Sequence, residues 1–139
     1  MIILDTNVLS EVLRPEPHPL VSRWLDHQPA VQLFTTTVTR AEILFGISLL
    51  PNGQRRRRLL DAALAIFDED LRNRVLAFDS SAADAYARIG SARRASGRPI
   101  SQFDCMIAGI AYAHGARLAT RNTRDFADCE IDLVDPWRN

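Results

Sequence analysis

The chain has 139 residues, 47% of them apolar and 24% charged, and its 17 basic and 17 acidic side chains leave a formal net charge of zero. That length and composition predict one domain with a single good core, ordinary for a soluble globular protein. Neutrality excludes a nucleic-acid binder working by bulk charge, though a local basic face stays open. Every cation is Arg, which excludes mechanisms that require a lysine.

The N-terminus, Met1-Ile2-Ile3-Leu4-Asp5, has no basic segment and meets an acid at once, so it does not read as a signal peptide. No run approaches the roughly 18 apolar residues of a membrane span, and a cytoplasmic, reducing compartment is expected. Ile2-Ile3-Leu4 reads as a central strand of a parallel sheet covered on both faces. Val8, Leu9, Val12 and Leu13 follow at helical spacing until Pro15 and Pro17 stop the helix. Val21, Trp24 and Leu25 mark a second short helix, and residues 31–35 alternate as a strand leading into the helix that carries Glu42.

Pro51-Asn52-Gly53 is a turn signal, followed by a long amphipathic helix with Leu59, Leu60, Ala63, Leu64, Phe67 and Leu71 on one face. Residues 75–78 form a short strand. Asp79 or Ser80 then caps a helix that Gly97 and Pro99 end. Ser101 caps the apolar helix carrying Asp104, which runs to His114-Gly115, and Cys105 within it reads as a reduced core residue. Strands at 117–120 and 131–134 complete the chain. Strands alternate with helices throughout, without repeat or linker, so the predicted fold class is α/β: one domain over residues 1–139 in three α/β/α layers around a parallel sheet.

Three acids stand out. At about 100° per residue Glu42 shares a helix face with Val38, Ala41, Phe45 and Leu49, where solvent should be largely absent. Asp5 follows an apolar strand directly, and Asp104 opens an apolar helix. Each fits a capping role: Thr39-x-x-Glu42 and Ser101-x-x-Asp104 match the capping box, and Asp5 suits an N-cap. Together they point to convergence, because sites in open α/β sheets form outside the carboxyl ends of the strands, beside helix N-termini. A helix dipole favours one anion by only about 0.3–1 kcal/mol, too little to hold three together. With no Lys present, a bound cation is the expected compensation. Hard oxygen donors suit Mg²⁺ or Mn²⁺, which accept phosphate oxygens as further ligands. Such an ion neutralises charge on a phosphoryl transition state and lowers the pKa of water, so phosphodiester hydrolysis is the chemistry inferred. Thr6 and Asn7 can orient Asp5. In Thr120-Arg121-Asn122-Thr123-Arg124-Asp125, either Asn122 or Asp125 is a candidate fourth member, joining directly or through water.

Leu4-Asp5-Thr6-Asn7-Val8-Leu9-Ser10-Glu11, Thr39-Arg40-Ala41-Glu42-Ile43 with Gly46, Phe103-Asp104, Ala119-Thr120-Arg121-Asn122 with Asp125-Phe126, and the tail Val134-Asp135-Pro136-Trp137 closely resemble, in this order, the PIN-domain ribonucleases. The likeness is to the toxin component of VapBC-type toxin–antitoxin pairs, FitB-like branch included, and it covers essentially the whole chain. It implies that Asp5, Glu42 and Asp104 are metal-binding acids for Mg²⁺ or Mn²⁺, and that the activity is cleavage of RNA. It also implies a homodimer and a cognate antitoxin that blocks the site, in a heterotetramer or larger assembly. The family often has Asp where this chain has Asn122, so a second metal would need Asp125 in its place. Arg14, Arg121 and Arg124 are the expected holders of substrate phosphates, and Arg55-Arg56-Arg57-Arg58 is a candidate RNA-backbone contact or a solvated helix start.

Two other acidic Mg²⁺ folds fall away. A phosphoacceptor receiver needs a Lys, and a haloacid-dehalogenase phosphatase needs Asp two residues after Asp5, where this chain has Asn7. The alternative left is a non-catalytic PIN-fold module that binds RNA or protein. In the catalytic reading Glu42 is either a third ligand or the general base.

Overall fold

The apolar triplet Ile2–Leu4 forms strand β1 and is buried at every position, as a strand covered on both faces requires. The other strands are β2 (Leu33–Thr36), β3 (Val75–Leu76), β4 (Arg117–Ala119) and β5 (Leu133–Val134). They pair in parallel in the order β3-β2-β1-β4-β5, which puts β1 at the centre, Ile3 opposite both Phe34 and Leu118. The structure, a computed structural model, describes residues 1–138; the expected domain runs one residue further, to Asn139, which lies outside the described residues.

Among the described residues six α-helices cover the sheet: α1 (Thr6–Val12), α2 (Pro19–Asp26), α3 (Thr37–Ser48), α4 (Gln54–Ala65), α5 (Ser80–Ala95) and α6 (Gln102–His114). Because side chains alternate along a strand, β1 supplies two cores. Ile3, with Leu118, packs against Ala82, Ala85 and Ile89 of α5 and Ile107, Ile110 and Ala111 of α6. Ile2 and Leu4 pack on the other side with Val8, Leu9, Val21, Trp24, Ile43, Ile47, Ala63 and Phe67, drawn from α1 to α4 and the turn after α4. This is the expected α/β/α arrangement with a parallel sheet. Among the described residues no helix is long and apolar enough to cross a membrane.

Local structure departs from the sequence expectations at several points. The strand expected at 31–35 starts two residues late, because Pro29 opens a 3₁₀ turn over Ala30–Gln32 that leaves Val31 exposed. The strand expected at 131–134 is reduced to Leu133–Val134. The long fourth helix widens into a π-turn over Ile66–Asp70, where the Leu71 N–H donates to the Ile66 carbonyl at 2.8 Å. That wider turn keeps Phe67 and Leu71 in the core while Asp68, Glu69 and Asp70 stay exposed.

The largest correction concerns α3. Phe45 is 65% exposed and Leu49 69% exposed, so the face they share with Glu42 is not a dry one. A helix apolar on nearly every side has no unique inward face, and packing selected the stripe through Val38, Thr39, Ile43 and Ile47 instead. Nor does Thr39 cap this helix: Thr36 does, its hydroxyl accepting the Thr39 N–H at 3.0 Å, so Glu42 stands in the second turn.

Candidate active site

The strand order reverses between β1 and β4. The chain leaves β1 toward β2 and β3 on one side and returns to β4 and β5 on the other, opening a crevice at the carboxyl ends of the two central strands. Asp5 follows β1 and Thr120 follows β4, and the Thr120 hydroxyl donates to Asp5 Oδ2 at 2.7 Å across that crevice. The Thr6 N–H donates to Asp5 Oδ1 at 2.8 Å, so Asp5 caps α1 and faces the crevice at once. Asn7 Nδ2 donates to Thr120 Oγ1 at 3.2 Å and to Asp5 Oδ2 at 3.4 Å, while Asn7 Oδ1 accepts the Arg121 N–H at 3.2 Å. The Asn122 N–H completes the network on Thr120 Oγ1 at 3.1 Å.

Glu42 is tied in by hydroxyls rather than by a helix terminus. Thr6 Oγ1 donates to Glu42 Oε1 at 2.7 Å and lies 3.0 Å from Thr39 Oγ1, which in turn takes a hydrogen bond from Thr36 Oγ1 at 3.4 Å. Each hydroxyl has one proton. Since that of Thr6 goes to Glu42, that of Thr39 goes to Thr6, and a chain of three hydroxyls ends on the carboxylate. Thr36 and Thr39 lay outside the sequence reading of the site. Their signal was there, in three successive threonines at the end of a strand and a fourth at Thr39.

Asp104 arrives from the other layer, in the first turn of α6, its N–H held by Ser101 Oγ at 3.3 Å. Asp5, Glu42 and Asp104 line one open cavity of about 470 Å³ together with Thr6, Asn7, Arg14, Arg121 and Asn122. Thr120 reaches it through Asp5. Asp125 and Arg124 do not line it. Asp125 sits in the 3₁₀ turn Thr123–Phe126, held in part by the buried Arg93, whose guanidinium donates to the Asp125 and Ala127 carbonyls at 2.9 Å each.

Glu11 and Trp137 also line the cavity, and the sequence reading gave neither a role there. Glu11 is 5% exposed; it accepts the His18 N–H at 3.0 Å and the Arg14 guanidinium at 3.4 Å, joining the end of α1 to the start of α2. The available clue was Glu11 itself, an acid set between Leu9 and Val12 on the short helix that Asp5 caps.

The electrostatics are unbalanced at Asp5. Burial, reinforced by the charges of Asp104 and Glu42 and opposed by the hydrogen bonds from Thr120 and Thr6, pushes its carboxyl up to about 6. Burial also raises Asp104, with the charge of Asp125 adding to it. Among the described residues no three acidic, histidine or cysteine side chains stand close enough to hold one metal ion between them. The three carboxylates share a cavity without closing on one point. That arrangement suits Mg²⁺ or Mn²⁺, which retain several waters and take only one or two carboxylates directly, and the donor set is wholly hard oxygen.

A second, larger cleft of about 760 Å³ opens from the same place, sharing Thr6, Ser10, Arg14 and Glu42. Its floor is apolar, with Leu13, Ile43, Ile47, Leu50 and Leu59, and Arg55 and Arg58 of α4 stand on its wall. The Arg run is thus divided, Arg56 bonding instead to Asn52 beside the turn.

Residues 2–131 match the family model described as PIN domain. The VapC ribonuclease Y4jK of Sinorhizobium fredii is 38% identical over 137 residues, covering 99% of this chain and 98% of the relative. Toxin FitB of Neisseria gonorrhoeae is 36% identical over 143 residues and covers the whole of both chains. Among solved structures, a chain of FitAB bound to a DNA fragment superposes with a TM-score of 0.94 at 35% identity, covering 100% of this chain and 97% of that one.

Proposed function

The chain belongs to the PIN-domain family, and from that premise we propose that it is a metal-dependent endoribonuclease of a type II toxin–antitoxin pair, hydrolysing RNA phosphodiester bonds until a cognate antitoxin blocks it. The observation that carries the reading is Asp5, a buried carboxylate that forms no ion pair among the described residues and faces a cavity shared with Glu42 and Asp104. The names of two relatives, a VapC ribonuclease and a FitB toxin, point the same way.

Asp5, Glu42 and Asp104 would hold Mg²⁺, with Mn²⁺ as a substitute, one or two of them directly and the rest through the waters the ion keeps. When bound, the ion offsets phosphoryl charge and lowers the pKa of water. The rest of the work falls to the chain. Thr120 and the Thr6 N–H fix the Asp5 carboxylate by one hydrogen bond to each oxygen, so its remaining lone pairs are aimed before any ligand arrives. Thr6 Oγ1 holds Glu42 Oε1, leaving Oε2 to act as a ligand or to take a proton as general base. Arg14 and Arg121 on the cavity wall supply guanidinium donors for the phosphates on either side of the scissile bond. Asn122 stands where the family often has an acid, and Asp125 lies off the cavity wall, which favours one ion over two.

The antitoxin reading draws on the solved FitAB complex and on the second cleft. An apolar floor flanked by Arg55 and Arg58 suits a protein segment that carries aliphatic side chains and acids, and such a segment would end beside Glu42. A homodimer, and a heterotetramer with the antitoxin, belong to the same proposal; exposed Phe45, Leu49 and Phe103 offer apolar area for a second copy.

The test is cleavage of RNA by purified, antitoxin-free protein in Mg²⁺ or Mn²⁺, beside Asp5→Asn and Asp104→Asn and an EDTA control. Cutting that needs both acids and the ion is the expected result. Absence of cutting, or equal cutting by the variants, overturns the enzymatic reading in favour of a non-catalytic module.

A further inference from the structure

The wall of the acidic cavity carries one aromatic side chain, Trp137, and the guanidinium of Arg121 lies over its ring at 5.2 Å from the centroid. Both belong to the same cavity as Asp5, Glu42 and Asp104, and both are held from behind. The Trp137 N–H donates to Asp135 Oδ1 at 2.9 Å, the Arg138 N–H donates to the Asp135 carbonyl at 3.1 Å, and Pro136 between them is buried. The turn is joined to the central sheet by the Thr120 N–H, which donates to the Val134 carbonyl at 2.9 Å. On the other side, the backbone of Arg121 is fixed by Asn7, the residue that also steadies Thr120 and Asp5. Trp137 is packed in part against the core on the α1–α4 side, so a guanidinium over its indole, beside the carboxylates, brings a planar cation backed by an aromatic ring to the cavity wall.

We propose that the Arg121–Trp137 pair is a stacking platform for an unpaired nucleobase of the RNA, next to the scissile phosphate. The proposal rests on the ribonuclease reading. Every base has a π face, so such a platform accepts single-stranded RNA with little regard to sequence, and it rejects a duplex whose bases are already stacked on each other. It also assigns Arg121 a second duty, since one guanidinium can stack through its plane and donate to a phosphate through its edge.

The experiment compares binding, in EDTA, of a short single-stranded RNA and of a fully abasic chain of equal length and charge, with wild type, Trp137→Ala, Trp137→Phe and Arg121→Ala. Wild type is expected to prefer the intact RNA by roughly tenfold. Trp137→Ala should reduce that preference to twofold or less, Trp137→Phe should retain most of it, and Arg121→Ala should fall between. Intact RNA should quench Trp137 emission where the abasic chain does not, since Trp24 is buried in the core. Melting temperatures separate a folding defect from lost stacking. A wild type without preference, or a Trp137→Ala variant that keeps it, overturns the platform. Because cleavage is not the readout, a protein that stacks RNA but never cuts it defeats the nuclease reading alone, and one that cuts without base preference defeats the platform alone.

Discussion

The two helical layers of this molecule are finished to different degrees. On one side of the sheet α5 and α6 lie so close that a Cβ at Gly109 would come within 2.6 Å of the Ala82 carbonyl oxygen and 3.2 Å of the Tyr86 nitrogen. On the other side a Cβ at Gly46 of α3 would meet nothing within 4 Å, Phe45 and Leu49 stand in solvent, and a cleft of about 760 Å³ separates α3 and α4 from the end of α1. The closed layer spends its small residues on backbone-to-backbone packing and supplies one acid, Asp104, from a helix packed closely against α5. The open layer supplies Glu42 and the approach to the cavity. The candidate site is thus half scaffold and half doorway, the form that the proposed polymeric substrate would need.

Substitutions can break that contrast. The largest effect belongs to the acids where the layers meet: Asp5→Asn and Asp104→Asn should each lower the rate of RNA cleavage by about 10²–10³-fold, while melting at neutral pH shows the fold intact. Next is pH. Asp5 has a folded pKa of about 6 against an ordinary 3.8, so its favourable contribution is complete below about pH 4 and disappears as pH rises through about 6. The metal-free protein should lose about 3 kcal/mol by this route between those limits, and Asp104 adds to it with the same sign. Urea midpoints in EDTA should therefore show Asp5→Asn gaining on wild type as pH rises; a constant difference would refute the assignment.

Smaller effects follow from the glycines. Gly109→Ala should destabilise by about 1–3 kcal/mol, because the obstructing atoms are backbone and cannot swing away. Gly46→Ala, in a helix with open space around it, should stabilise by up to about 1 kcal/mol. Equal costs at the two positions would mean that the layers are packed alike. The smallest change is expected at the cleft wall, where Arg55→Ala and Arg58→Ala should leave stability within about 0.5 kcal/mol of wild type and weaken binding of the antitoxin segment, as titration calorimetry would report.

Much of this was legible in the chain. Ile2-Ile3-Leu4 ending in Asp5 could hardly be anything but a central strand delivering an acid, because three consecutive apolar residues need cover on both faces. Ser101 and Gly115 bounded α6 as their chemistry dictates, one accepting an N–H and the other adopting positive φ. Less legible was the orientation of α3, whose sides are nearly equivalent in hydropathy. Least legible was the place of Trp137, which meets Arg121 only because β4 and β5 pair.

Local pattern alone determined the alternation of strands and helices and the three acids at helix starts or on an apolar helix, since periodicity and capping are interactions between residues a few positions apart. Tertiary structure decided which face of α3 turned inward, that Thr6 rather than a helix terminus would hold Glu42, and that Trp137 would come to stand beside Asp5. Those outcomes depend on the order of strands in the sheet, and strand order is set by the competing burial of whole faces, a sum over the entire chain that no short window contains.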